Sequence, residues 1–361
     1  SSRESAGGRR EAGRLSWPAA ALEQLCRSKG RAFWTCSYLP RELPLAFGFQ
    51  PRRFWAQAGG TPRADRFFPP NLCSGVRASL EEAIRQATTE DLFLLADCCD
   101  ADRRLADALE ASFPGQTFLL FLPRAEESWL QLANELRRLA GFLAEKSGHP
   151  LKEEALRVAI IEEEALRQTR RRLHVRQTMG GISPISYYQA LRSWYGSTPK
   201  GGFPLGNLPI EELPDHGERA PILLLGNSLD ERSFWEILEE LSFRVVGDDL
   251  CYGEKLSQVQ VQAGVGPFEA LARAYLARPP CPRTQRLEER WDELIRRGKE
   301  RGAIGAIFTP TKFCDYYAYE LPILAPRLRA AGLATLVLEM DYGQVSLEQL
   351  RTRLEAFRES L

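Results

Sequence analysis

Histidine is nearly absent from this chain: His149, His174 and His216 are the only three among 361 residues. Zinc hydrolases, facial-triad iron oxygenases and Ser/His/Asp triads all need imidazole as ligand or base. None of the three histidines lies in a phrase suited to that work, so those chemistries fall away. Long apolar runs are also missing. Each stretch is far shorter than the ~20 residues of a spanning helix, and no membrane segment is expected. The opening residues lack the apolar core of a secretory signal, which makes a cytoplasmic, reducing location the expectation. Charge of one sign is lacking too: 48 basic residues balance 48 acidic ones, so no global field favours nucleic acid or an anionic membrane. Arginine outnumbers lysine, but it is interspersed with acids, as on solvated helix faces.

Phosphate motifs are equally scarce. Nothing matches Gly-x-x-x-x-Gly-Lys-Ser/Thr, and Gly226-Asn227-Ser228 lacks the dinucleotide fingerprint. ATP and NAD sites are not indicated, and Gly180-Gly181 and Gly201-Gly202 read as turns or hinges. No Cys-x-x-Cys pair exists, which argues against a zinc ribbon or a ferredoxin insert.

What is present is cysteine, eight in all. In a reducing compartment that number points to metal or reactive thiols rather than to disulfides. Cys26 sits in an apolar run, as a packing cysteine should. Six others occupy short polar or turn-like phrases: Cys36, Cys73 and Cys99 in the first half, and Cys251, Cys281 and Cys314 in the second. Soft thiolates at loop positions suit an iron-sulfur cluster. Spacing alone leaves three readings open: a cluster, structural thiols, or one nucleophilic cysteine.

The apolar pattern places these thiols. Buried-strand signals at Arg53–Ala56, Leu92–Ala96, Phe118–Leu122, Ile222–Leu225, Phe243–Val246, Ile304–Phe308 and Thr335–Leu338 alternate with helix-period segments. This predicts an α/β fold of two doubly wound parallel-sheet domains. The expected divisions are an N-terminal extension over 1–30, a first domain over 31–150, a helical segment and linker over 151–210, and a second domain over 211–361. Cys98 and Cys99, Cys251 and Cys314 follow strands, at the edge where such sheets bind ligands. Facing the two edges would make an interdomain cleft lined by cysteine. Among the flanking polar residues, Glu42, Arg77 and Lys312 are candidates for proton delivery or for tuning a cluster from its surroundings.

The phrases Cys36-Ser37-Tyr38-Leu39-Pro40-x-Glu42, Leu72-Cys73-x-x-Val76-Arg77, Cys99-Asp100-Ala101-x-Arg103-Arg104-Leu105, Asp248-Asp249-Leu250-Cys251-x-Gly253, Pro280-Cys281-Pro282 and Lys312-Phe313-Cys314-Asp315 resemble the 2-hydroxyacyl-CoA dehydratase D-component family. That family includes benzoyl-CoA reductase subunits and double-cubane cluster proteins. The resemblance implies two flavodoxin-like domains with an iron-sulfur cluster in their cleft. It also implies a separate homodimeric, ATP-hydrolysing activator that carries its own 4Fe-4S cluster and supplies low-potential electrons. Dehydratase-type subunits hold one 4Fe-4S cubane on about three cysteines. An 8Fe-9S double cubane needs six thiolates, and six are here. The resemblance therefore favours a homodimeric reductase of small molecules with all six cysteines as ligands, Cys98 being a bystander. A dehydratase subunit with one cubane and a noncatalytic electron carrier are the alternatives.

Overall fold

The computed structural model describes residues 29–55, 60–196, 219–262, 266–342 and 346–361. Its strands are β1 (Arg31–Trp34), β2 (Gln50–Arg53), β3 (Leu92–Ala96), β4 (Thr117–Leu120), β5 (Ala220–Gly226), β6 (Phe243–Asp249), β7 (Gly305–Thr309) and β8 (Ala334–Val337). They form two all-parallel sheets with the orders β2-β1-β3-β4 and β6-β5-β7-β8. Every residue of β3 and β7 is buried, as strands covered on both faces must be. The expected α/β fold is the one observed. In each sheet the first strand lies between the second and third, the flavodoxin-like order whose ligand crevice opens at the carboxyl ends of the first and third strands.

The helices are α1 (Glu42–Ala46), α2 (Ser74–Gln86), α3 (Asp100–Ser112), α4 (Trp129–Ser147), α5 (Glu153–Thr178), α6 (Pro184–Gly196), α7 (Arg232–Glu240), α8 (Glu254–Ser257), α9 (Pro267–Ala277), α10 (Leu287–Glu300), α11 (Asp315–Ala330) and α12 (Leu347–Glu359). Several of these elements differ from expectation. Of the strand read at Arg53–Ala56, Arg53 lies in β2 and Phe54 and Trp55 do not, Ala56 being outside the described residues; β2 starts earlier, and its Pro51 is tolerated on an edge strand that needs no N–H on its outer side. The short strand β1 was not foreseen. It starts at Arg31, whose backbone N–H and guanidinium both bind Asp91. Nor was α11, which runs through Pro322 and Pro326, residues that ordinarily break helices.

The two halves share one core. An apolar cluster runs from Trp34 and Leu94 through Tyr188 and Tyr195 to Leu224 and Ile307. Helix α5 packs on α1 from the first half and on β6 and α8 from the second. Helix α6 inserts a layer of rings: Tyr188 stacks on Trp235 at 5.6 Å, and Tyr195 meets Tyr252 at 5.9 Å. Arg53, at the end of β2, lies over Trp55 at 4.6 Å and Tyr252 at 4.2 Å. It donates to Asp230 of the second half at 2.9 Å and also to Ser228.

A second buried ionic group holds the carboxyl end of β6. Arg290 of α10 binds Asp249 and, at 2.8 Å, Glu320, while Lys255 lies 3.1 Å from Asp249. Removing one member of a buried pair strands its partners. Arg290→Met should lower the unfolding free energy by about 3–5 kcal/mol in anaerobic urea titration. Arg296→Met, on the exposed side of the same helix, should change it by under about 0.5 kcal/mol. Equal effects would show that the network does not support β6.

Candidate metal centre

The carboxyl edges of both sheets converge on a cavity of about 90 Å³. Its wall includes Cys36, Cys73, Cys98, Cys99, Cys251 and Cys281, together with Arg53, Asp230, Lys255, Arg278 and Arg283. The sixth phrase cysteine, Cys314, stands beside this wall, its Sγ 3.7 Å from Nη2 of Arg283. All seven described cysteines are free thiols. Cys26 lies outside the described residues.

Local structure explains the convergence. Cys36 follows β1, and Cys98 and Cys99 follow β3, on either side of the crevice of the first sheet. Cys251 follows β6, and its N–H donates to the carbonyl of Asn227 just beyond β5 at 2.8 Å. Cys73, Cys99 and Cys314 are the N-cap residues of α2, α3 and α11. Sulfur there meets unpaired N–H groups and the positive end of the helix dipole. Cys99 Sγ accepts from the Asp102 N–H at 3.4 Å. Phe313, just before Cys314, adopts a left-handed φ of 61°, a conformation unusual for a bulky side chain that turns the strand exit into the cap.

Two thiols each feel two others, which gives two sets that meet at Cys98, the residue hydrogen-bonded to both Cys36 and Cys99. Cys73 senses Cys99 and Cys314, whereas Cys251 senses Cys281 and Cys36. Each group draws on both halves of the chain. Arg283 touches both groups: its backbone N–H donates to Cys281 Sγ at 3.4 Å, and its guanidinium reaches Cys314. Arg124 secures it by donating to its carbonyl at 2.9 Å. Arg278 is buried, stacked 3.7 Å over Tyr38, and donates to Ser37 at 2.9 Å. Sequence reasoning missed both arginines. The available hint was their position close to Cys281 in the chain.

Proton affinities diverge within the wall. A hydrogen bond from Cys98 lowers the Cys36 thiol to about 7, against the opposing effect of burial. Cys98 lowers Cys99 as well. Cys98 itself is pushed well up, first by those two sulfurs and then by burial, and its Sγ lies 2.6 Å from Asp102 Oδ2. One S–H cannot serve three acceptors at once, so Cys98 is the retained proton that they share. Burial raises Cys73 to about 12 and also raises Cys251 and Cys314. Ligand atoms of Cys98, Cys99 and Asp102 lie within 4.8 Å of one another, close enough to hold one metal ion. The cysteine read as a bystander therefore belongs to the wall.

The three polar candidates sit elsewhere. Glu42 is fully buried, bound by Arg167 and, at 2.9 Å, by the Tyr275 hydroxyl. Arg77 is held by Asp65 at 2.7 Å and Thr61 at 2.9 Å. Lys312 pairs with Asp341 at 3.0 Å, and its carbonyl accepts from the Ser74 N–H at 3.1 Å. None of the three lines the cavity.

Soft donors at helix caps, compensating cations and an enclosing wall fit an iron-sulfur centre by the chemistry of the donor set. Comparison with known proteins agrees with this class. Residues 36–361 match the family described as 2-hydroxyglutaryl-CoA dehydratase, D-component, and the chain belongs to that family. It is 24% identical over 337 residues to the (R)-phenyllactyl-CoA dehydratase beta subunit of Clostridium sporogenes, covering 90% of each chain. It is also 24% identical over 339 residues to the lactoyl-CoA dehydratase subunit beta of Anaerotignum propionicum, again covering 90% of each.

Because thiolate is the form that alkylates, metal-free protein should label at Cys36 before Cys73. The Cys36 rate should rise through a midpoint near pH 7, as the pKa of about 7 requires. Cys98→Ala should move that midpoint upward. Site-resolved mass spectrometry after iodoacetamide pulses reads both effects, and an unchanged midpoint would refute the role given to Cys98.

Proposed function

We propose that this chain is the cluster-bearing component of an ATP-dependent low-potential reductase, with Cys36, Cys73, Cys99, Cys251, Cys281 and Cys314 holding an 8Fe-9S double cubane. The observation that carries this reading is the convergence of five of these thiols on one cavity, with Cys314 beside its wall. When bound, that group supplies low-potential electron transfer to a small molecule.

The protein's own residues prepare the site. Arg278, Arg283 and Lys255 offset thiolate charge, and the helix caps add oriented N–H groups. Tyr38, Phe54 and Val76 exclude water from the wall. Glu42, Arg77 and Lys312 serve as positioning residues. Arg77 steadies the helix capped by Cys73, Lys312 ties that helix to the Cys314 loop, and Glu42 anchors the Cys36 segment to α5.

Electrons would come from a separate homodimeric activator with its own 4Fe-4S cluster. ATP hydrolysis is assigned to that partner because this sequence carries no matching phosphate motif. The chain would act as a cytoplasmic homodimer. No described helix is long and apolar enough to cross a membrane.

The relatives' names favour a second reading, a dehydratase subunit, for which the family resemblance implies one 4Fe-4S cubane. Cys73, Cys99 and Cys314 alone would serve it. Anaerobic iron and sulfide analysis separates the two, with about 8 iron per chain expected for the double cubane and about 4 for the single one. Replacing Cys36, Cys251 and Cys281 together by serine should halve the iron. Retention of about 4 iron in both proteins would establish the second reading. Acetylene reduction with activator and ATP is expected of a reductase, and its absence at full iron loading would indicate a passive electron carrier.

A further inference from the structure

We propose that a second buried cavity binds a single monovalent anion of halide size. The cavity measures about 10 Å³ and lies among Trp34, Arg41, Glu163, Arg167, Arg170 and Tyr275. That space is roughly one water-sized sphere, which excludes phosphate or a carboxylic acid. The inference is independent of what the thiols bind.

The charges around the cavity do not cancel. Arginine does not deprotonate in proteins, so Arg41, Arg167 and Arg170, each 4% exposed or less, remain cationic. Arg167 is bound by Glu42 and lies 3.3 Å from Glu164, which is itself shared with the half-exposed Arg171. Arg41 lies 3.3 Å from Glu163. Among the described residues Arg170 is in no ion pair, Glu163 acting on it only at longer range; its guanidinium rests over Trp194 at 5.3 Å and Tyr195 at 4.7 Å. A buried cation left in this state is costly.

Hydrogen bonding points the same way. Arg41 Nε faces Glu163 Oε1 at 3.3 Å, while Trp34 Nε1, Arg41 Nη2, and Arg170 Nε and Nη2 are buried and have no hydrogen-bond partner among the described residues. A water molecule offers two lone pairs and brings two hydrogens that themselves need acceptors. An anion accepts from every side, requires no acceptor and supplies the missing charge. Trp34 ends β1 two residues before Cys36, and Arg170 belongs to α5, so the bound ion would fasten the Cys36 segment to that helix.

Crystals of the full chain grown with sodium bromide in place of chloride should give an anomalous peak at the bromine edge between Trp34, Arg41 and Arg170. In solution at fixed ionic strength, Tm should rise saturably as bromide replaces gluconate, and Arg170→Met should abolish the rise. Trp34→Phe, which removes one donor, should raise the half-saturating bromide concentration about tenfold, the weight of one charge-assisted hydrogen bond. That milder variant keeps the test decisive if Arg170→Met fails to fold. No bromine signal at the site, together with equal Tm in bromide and gluconate, overturns the proposal.

Discussion

The convergence of thiols depends on one clasp, the Arg53 guanidinium seated against Trp55 and Tyr252, whose rings touch each other at 5.2 Å, and bonded to Asp230. Arg53 belongs to the first sheet, while Tyr252 and Asp230 belong to the second half. A cation resting on two aromatic rings and fixed by a buried carboxylate has little freedom to slide or rotate. That rigidity sets the distance between the two carboxyl edges. The ring layer of α6 fills the space behind the clasp, so the halves are joined by packing as well as by charge. Neither sheet could assemble either thiol group alone.

Within the seam, desolvation and charge oppose each other. Burial favours the neutral thiol and dominates at Cys73, Cys251 and Cys314. Oriented donors and Arg283 favour thiolate, and the Cys98 proton tips Cys36 and Cys99 toward it. A cation that replaced the remaining protons would exchange a set of strained, partly neutral thiols for a set of ligands. The arginines are placed to tolerate the negative charge that such a set retains.

The sequence made some of this legible. β3 reads directly because Leu92–Ala96 is continuous and apolar, as a strand covered on both faces must be. The thiol phrases read because each breaks the apolar pattern at an element end. Pro51 concealed β2, and Pro322 with Pro326 concealed α11, since local propensity opposes what tertiary packing imposes. Arg283 and Arg278 were hidden among many arginines, because nothing local marks which guanidinium faces sulfur. The pairing of Glu42 was hidden for a related reason: its partner Arg167 lies far along the chain, and long-range pairing of a buried carboxylate leaves no trace in its neighbours.

Three of the sulfurs cap helices, at a position where serine, threonine, aspartate or asparagine folds as well or better. Folding therefore exerts little selection to keep cysteine at 73, 99 or 314. Serine at any of the three would start its helix as well as cysteine does, so a change of sulfur there leaves folding intact. Any demand for sulfur at 73, 99 and 314 is then chemical, made at sites where the fold itself is indifferent.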